Sequence, residues 1–350
     1  IGRNHCNHRC CRSNIWLNDM TQYDVYGIGN ALVDMAYAVD ETFLVENDIA
    51  KGHMTLVDEL QMQRLMSNLR ELTPERACGG SAANTIFAVQ GFGGQAYYSC
   101  RVADDATGNY FVSEMRDAGI TTNLQDPSTE TGSGRCLILV SPDAERSLNT
   151  CLGISEHLTV SEIDEASLIR SNYLFIEGYL ASSTSGAAAA ARAREIADEN
   201  DVSTSLTLSD PNMVIFFREA LNDILGNGIS QLFCNEEEAL TWAKTDRLDI
   251  AARELADIAP NVAITMGQNG SLCVGPDGKQ SIAGHAVEAI DTNGAGDMYA
   301  GAFLAAISQR VSTFEAARFA NFAAADVVTR YGARLPSIEA YKKLKLAFNS

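Results

Sequence analysis

Asp291-Thr292-Asn293-Gly294-Ala295-Gly296-Asp297 runs straight into an apolar helical stretch, residues 298–308. Three small residues in a row, Gly294, Ala295 and Gly296, let backbone come close to a ligand. At the start of a helix their N–H groups, together with the helix dipole, make an anion site. Asp297 then falls in the first helical turn and reads in two ways. It is an N-terminal helix charge, or it is a base beside a phosphate, placed to take a proton from an attacking hydroxyl. Seven residues in this order are far more specific than a lone glycine turn, which favours the chemistry.

Working outward, a short apolar run, a turn and a helical stretch recur along the chain. Strand-like runs occupy residues 23–28, 96–102, 173–177, 203–208, 231–234 and 262–265, and 270–274 follows as a candidate neighbour of the last. A helix is expected over 108–118, and the alanine-rich stretch 186–193 reads as another. Strands alternating with helices at this spacing imply an α/β fold with a mostly parallel sheet covered on both faces. Such sheets bind ligands at the carboxyl ends of their strands. Two segments, 36–57 and 134–149, alternate apolar and polar residues with no helix expected between. They read as a small antiparallel sheet outside the main layer, suited to act as a lid.

Composition excludes several classes. The 350 residues carry a net charge of −19, so nucleic acid and anionic lipid are unsuitable partners. No apolar run approaches the roughly 20 residues needed to span a bilayer, and no secretory signal is visible, so the expected location is cytoplasmic. Hydrophobic residues at 46% and charged residues at 20% suit one globular domain over residues 20–350. Residues 1–19 read as a leader outside the fold, with Met20 as the natural start. Their His5, Cys6, His8, Cys10 and Cys11 are dense enough in soft ligands that a metal site is the other reading. The remaining cysteines stand singly among apolar neighbours and read as reduced packing residues.

The string 291–297 resembles the second signature of the ribokinase (PfkB) family of carbohydrate and nucleoside kinases, and Gly79-Gly80-Ser81-Ala82-Ala83-Asn84 resembles its first. The resemblance extends from about residue 23 to about 336. It implies a ribokinase-like three-layer sandwich with a small β-sheet lid, ATP and magnesium as cofactors, and a nucleoside or sugar as the substrate. It makes Asp297 the catalytic base and the amides of 294–297 the anion hole. Gly29-Asn30-Ala31-Leu32-Val33-Asp34 resembles the family's first-strand motif, in which an Asp grips a vicinal diol. Asn30 and Asn84 would add polar contacts, Leu32 would lie against the base, and Gly79 and Gly80 would admit backbone to the sugar. A cap or turn role for Asp34 is the plainer alternative.

Asn235-Glu236-Glu237-Glu238 resembles the family's Asn-x-x-Glu motif, with Glu238 near magnesium through water. It is equally an acidic first helical turn. Thr265-Met266-Gly267-Gln268-Asn269-Gly270 resembles the nucleotide loop, giving Thr265, Gly267 and Gly270 to ATP. Arg146 resembles a lid arginine that reaches the phosphates, and Asp291 with the backbone near Gly332 resembles a potassium site. Asp104-Asp105-x-x-Gly108 reads as a turn and helix cap. Asn293, the string 29–34 and the run 146–148 lean toward the adenosine-kinase branch, which implies phosphorylation of a 5′-hydroxyl. Ribose, fructose and a non-catalytic ligand-binding relative remain as alternatives, and the resemblance fits a monomer or a homodimer.

Overall fold

Side chains buried on both faces of successive strands build the centre of this protein. In the strand Tyr23–Ile28 (β1), Val25 enters one apolar core while Tyr26 and Ile28 enter another. Phe175 divides from Leu174 and Ile176 in the same way, and Ala263 from Val262 and Ile264. Runs that are apolar toward both sides suit a parallel sheet with helices on each face.

The computed structural model describes residues 22–52, 54–124, 131–143 and 145–350. Besides β1, the strands among them are Leu32–Ala38 (β2), Met54–Leu56 (β3), Glu75–Gly79 (β4), Ala96–Ser99 (β5), Thr121–Thr122 (β6), Gly134–Val140 (β7), Arg146–Cys151 (β8), Ser171–Glu177 (β9), Ser203–Thr207 (β10), Gln231–Asn235 (β11), Asn261–Thr265 (β12), Ser271–Gly275 (β13) and Gly278–Ile282 (β14). The large sheet runs β14-β13-β12-β11-β10-β9-β1-β5-β6. It is parallel from β12 through β6, with β13 and β14 closing one edge antiparallel.

Helices Ser81–Gly91, Ala295–Ser308, Thr313–Val327 and Ile338–Phe348 pack into one core. Helices Thr184–Glu199, Arg218–Leu225, Glu236–Ala243 and Leu248–Ala256 pack into the other. The result is the three-layer sandwich. Among the described residues no helix is long and apolar enough to cross a membrane. The six described cysteines are buried and unpaired. The segment carrying His5 to Cys11 lies outside the described residues.

The second sheet runs β3-β8-β7-β2-β4. Residues 134–149 fall on β7 and β8, which pair antiparallel, with β8 extending to Cys151, but the sheet is mixed rather than antiparallel, because β2 joins β7 and β3 joins β8 in parallel. The expectation for 36–57 needs correction. Only its ends are extended, and Glu41–Glu46 is a helix. Asp40 starts it by accepting from the Phe43 N–H at 2.8 Å, and Leu44 is its buried anchor. Within this sheet β2 begins at Leu32, and β4, which carries no clean alternation, supplies the other edge. The strand expected over 96–102 stops at Ser99. Asp105 caps Ala106–Asp117 by accepting from the Gly108 N–H at 2.7 Å.

The helices Ser81–Gly91 and Ala295–Ser308, which carry the two glycine-rich strings, lie against each other at Gly301. A Cβ there would stand 2.5 Å from Ala88 Cβ and 2.5 Å from the Thr85 carbonyl oxygen. Gly301→Val therefore forces the helices apart. We expect about 1–3 kcal/mol of lost stability by urea unfolding, together with reduced activity.

Candidate active site

The carboxyl ends of β1, β9, β11 and β12 lead into Asn30, Glu177, Asn235 and Thr265. That edge of a parallel sheet is where loops gather. Glu177 organises it. Its side chain is wholly buried, and its two oxygens accept from the N–H of Asn30 at 2.6 Å and of Ala82 at 2.8 Å. Burial pushes its carboxyl up to about 7, against the pull of the two amides. Gly29 is required beside it, because a Cβ would stand 2.6 Å from both the Glu177 carboxyl carbon and Ala82. Asn30 is buried, its carbonyl accepts from the Tyr98 hydroxyl at 2.7 Å, and its Oδ1 accepts from Ser155 at 3.3 Å.

Asp297 lies in the first turn of Ala295–Ser308, where first-turn amides have no intrahelical acceptor. Gly294 is the residue before the helix, at φ +76°, and no side chain caps the end. Ala295 N–H donates to the Thr292 carbonyl at 3.2 Å, and Gly296 borders open space. The Asp297 carboxylate accepts from Ser81 Oγ at 2.6 Å and from Asn84 Nδ2 at 2.9 Å. Burial raises its pKa, while Ser81, Asn84 and Arg334 oppose the rise.

Asp34 lies on β2, and among the described residues no group donates a hydrogen bond to its carboxylate. Burial lifts its carboxyl to about 6; Arg334 and Arg146 pull it down, and Asp297 pushes it up. Asp34 therefore lies in the field of Asp297. Gly79 passes so close to Asp34 that a Cβ would strike its carboxylate, and at Gly80, φ +97°, a Cβ would strike the Asn30 carbonyl. Leu32 precedes Asp34 on the same strand and pairs with Gly79.

Arg146 pairs with Asp291 at 2.7 Å and stacks 5.0 Å from the Tyr331 ring. Asp291 also accepts from the N–H groups of Gly332 at 2.8 Å and Asn293 at 3.1 Å. The expected phosphate arginine and the expected potassium ligand are thus bound to each other.

On the nucleotide side, Asn235 and Glu238 form a reciprocal cap. Glu238 N–H donates to Asn235 Oδ1 at 2.8 Å, and Asn235 donates back to Glu238 from its backbone at 3.0 Å and its side chain at 2.7 Å. Glu238 is 3% exposed and burial lifts it to about 7, so its carboxylate is committed to the cap. A direct magnesium contact does not fit that arrangement. Asn235, Glu236, Glu237, Leu240, Thr241, Thr265, Met266 and Gly267 line an open cleft of about 430 Å³. Gly270 stands outside it, at φ +88° in the turn that leads into β13. The Tyr179 hydroxyl lies within the field of Asp297, Glu177 and Glu238 together.

Three residues of this site went unselected in the sequence. Ser81 lay inside a quoted string. Glu177 looked like a strand end, although a carboxylate closing the apolar run 173–176 was a signal. Arg334, in the loop after Thr313–Val327, carried no local pattern at all.

Asp34, Glu177, Glu238 and Asp297 are all raised in the folded chain. Raised carboxyls contribute stability that is full in acid and lost as pH rises through their folded values, about 6 for Asp34 and about 7 for Glu177 and Glu238. We expect the ligand-free Tm to fall as pH rises from about 5 to about 7.5, and the fall to be shallower in Glu177→Gln.

Known proteins match this chain over most of its length. Residues 53–340 match the model of the pfkB family of carbohydrate kinases. The chain is 26% identical to adenosine kinase 1 of Arabidopsis thaliana over 89% of its length and 95% of the relative's. It is 30% identical to the ribokinase of Haemophilus influenzae, covering 74% of itself and 83% of that protein. The solved adenosine kinase of Sinorhizobium meliloti superposes with a TM-score of 0.83 at 33% identity, over 93% of this chain and 98% of that one. The chain belongs to the pfkB family of carbohydrate kinases and is a phosphotransferase acting on an alcohol group.

Proposed function

We propose that this kinase transfers the terminal phosphoryl group of ATP to the 5′-hydroxyl of a nucleoside, with adenosine as the foremost substrate. The observation that carries the reading is the pair of carboxylates. Asp297 is oriented by Ser81 and Asn84 at an uncapped helix start, and Asp34, free of protein donors, lies in its field. A free carboxylate accepts two hydrogen bonds from a vicinal diol, as on a ribosyl ring. An oriented one takes the proton of the attacking hydroxyl.

Each remaining residue takes a part in this scheme. The first-turn amides at Gly294 to Asp297 meet the charge that develops on the transferred group. Gly79, Gly80 and Asn30 bring backbone against the sugar, and Leu32 supports the base. The cleft at Asn235, Thr265 and Gly267 receives the nucleotide, with Gly270 shaping its turn. Magnesium bound with the nucleotide would supply positive charge against the phosphates, with Glu238, held in its cap, near it only through water. Arg146 would turn from Asp291 toward the phosphates of a bound nucleotide, and Asp291 with the backbone near Gly332 would then hold a monovalent cation such as potassium. The small sheet acts as the lid that excludes water from the reacting group.

Two observations support adenosine: the match to the Sinorhizobium meliloti enzyme and the coverage of the plant adenosine kinase. The ribokinase match supports a sugar such as ribose or fructose as the second reading. A panel of adenosine, inosine, ribose and fructose with ATP and magnesium decides between them, and a preference for a free sugar would overturn the nucleoside assignment.

Asp297→Asn keeps size and helix position but removes the proton acceptor. Its turnover is expected to fall by about 10²–10⁴, with nucleotide affinity nearly unchanged. Near-normal turnover would return Asp297 to a helix charge. Asp34→Asn is expected to act mainly on KM for the acceptor, read from initial rates at fixed ATP. Because the base must be ionised and burial raises its pKa, kcat/KM is expected to fall on the acid side at a pH above the ordinary range for Asp, about 4.

A further inference from the structure

Asn84 has a carbonyl oxygen and an NH₂ group at opposite corners of one amide. Its neighbours fix which faces which. Arg334 Nε lies 2.7 Å from Asn84 Oδ1, and an arginine can only donate. The Asp297 carboxylate lies 2.9 Å from Asn84 Nδ2, and an ionised carboxylate can only accept. The three groups therefore form a directed chain, from Arg334 through Asn84 to Asp297.

The guanidinium is itself held in place. It lies 3.7 Å above the Phe87 ring, and Phe87 follows Asn84 by three residues, one turn along the same helix. The next residue, Leu335, is buried, and its N–H donates to the Tyr341 hydroxyl at 3.2 Å. Arg334 Nη2 is buried and donates to no group among the described residues. The positive charge thus faces the site without a direct ion pair. Around Asp297 stand the carboxyls of Asp34 and Glu177, the phenols of Tyr98 and Tyr179, and this one guanidinium.

We propose that Arg334 is a positioning residue for phosphoryl transfer: by holding Asn84 Oδ1 it turns the amide N–H onto Asp297, and its charge keeps the base ionised among its acidic neighbours. This rests on Asp297 being the base. Losing the guanidinium frees the amide to rotate and leaves the carboxylates to repel one another, so both orientation and ionisation of the base suffer.

The test is the pH profile of kcat/KM with ATP, magnesium and adenosine, or whichever acceptor the panel selects, for the unaltered protein, Arg334→Met, Arg334→Lys and Asp297→Asn. In Arg334→Met the acid limb moves up by about 1 pH unit, the size expected when one nearby opposite charge is removed. Its plateau also falls at least about tenfold, as misplaced catalytic groups do. Arg334→Lys keeps the charge but loses the planar fork, so its acid limb stays near that of the unaltered protein while its plateau falls. An Arg334→Met limb that coincides with the original overturns the proposal, because a purely structural role would lower activity evenly across pH. If Arg334→Met does not fold, Arg334→Lys decides: an unchanged plateau overturns the proposal. An active Asp297→Asn sinks the base assignment itself, whereas an inactive one beside an unmoved Arg334→Met limb sinks only the role of Arg334.

Discussion

The buried carboxylate of Glu177 is the constraint on which the site depends. It stands at the end of β9 and holds two backbone amides that are distant in sequence, Asn30 and Ala82. One belongs to the link between the two sheets, the other to the helix that carries Ser81 and Asn84. A neutral residue would accept less strongly from both amides, since a charged acceptor makes the stronger bond. The cost is a carboxyl in the interior, visible in its raised pKa. Gly29 shows how tightly the clamp is drawn, since even one methyl group would collide with it.

A concentration of negative charge follows. Asp34, Asp297 and Glu177 share one small region, in a chain whose net charge is already −19. At Asp297 and Glu177 the repulsion is offset by hydroxyl, amide and backbone donors rather than by matched ion pairs. Arg334 and Arg146 are the cations whose fields reach Asp34. Arg146 is directly paired with Asp291, and Arg334 is held by an aromatic face and an amide. Burial makes each of these interactions stronger than it would be at the surface, and the loss of any one correspondingly larger.

The parallel sheet was legible because burial on both faces leaves uninterrupted apolar runs, as in 173–176 and 262–264. Both glycine-rich strings were legible because close approach of backbone tolerates few residue types. The helix Glu41–Glu46 was hidden because it is a single short element held by Asp40 and Leu44, too brief to impose a period. Strand β4 was hidden because Glu75, Arg76 and Ala77 are exposed and do not alternate. Arg334 and the pair Arg146–Asp291 depend on contacts across 250 and 145 residues, and such partners leave no trace in local spacing.

Only Gly29, Asn30 and Ala31 separate β1 of the large sheet from β2 of the small one. On the proposed roles, that short link divides the enzyme into two halves with separate tasks. Strands β2 and β4 carry Asp34 and Gly79 and face the acceptor, while the large sheet and its helices carry the base and the donor cleft. Each half has its own backbone hydrogen-bonding, while Val33, Met35, Leu137 and Leu139 of the small sheet share one apolar core with Val25, Ile86 and Phe303, so it is the site-facing residues of the small sheet, not its buried ones, that are free to vary without disturbing the transfer machinery. A lineage built on this plan acquires new acceptors by rewriting one small sheet and inherits its chemistry unchanged.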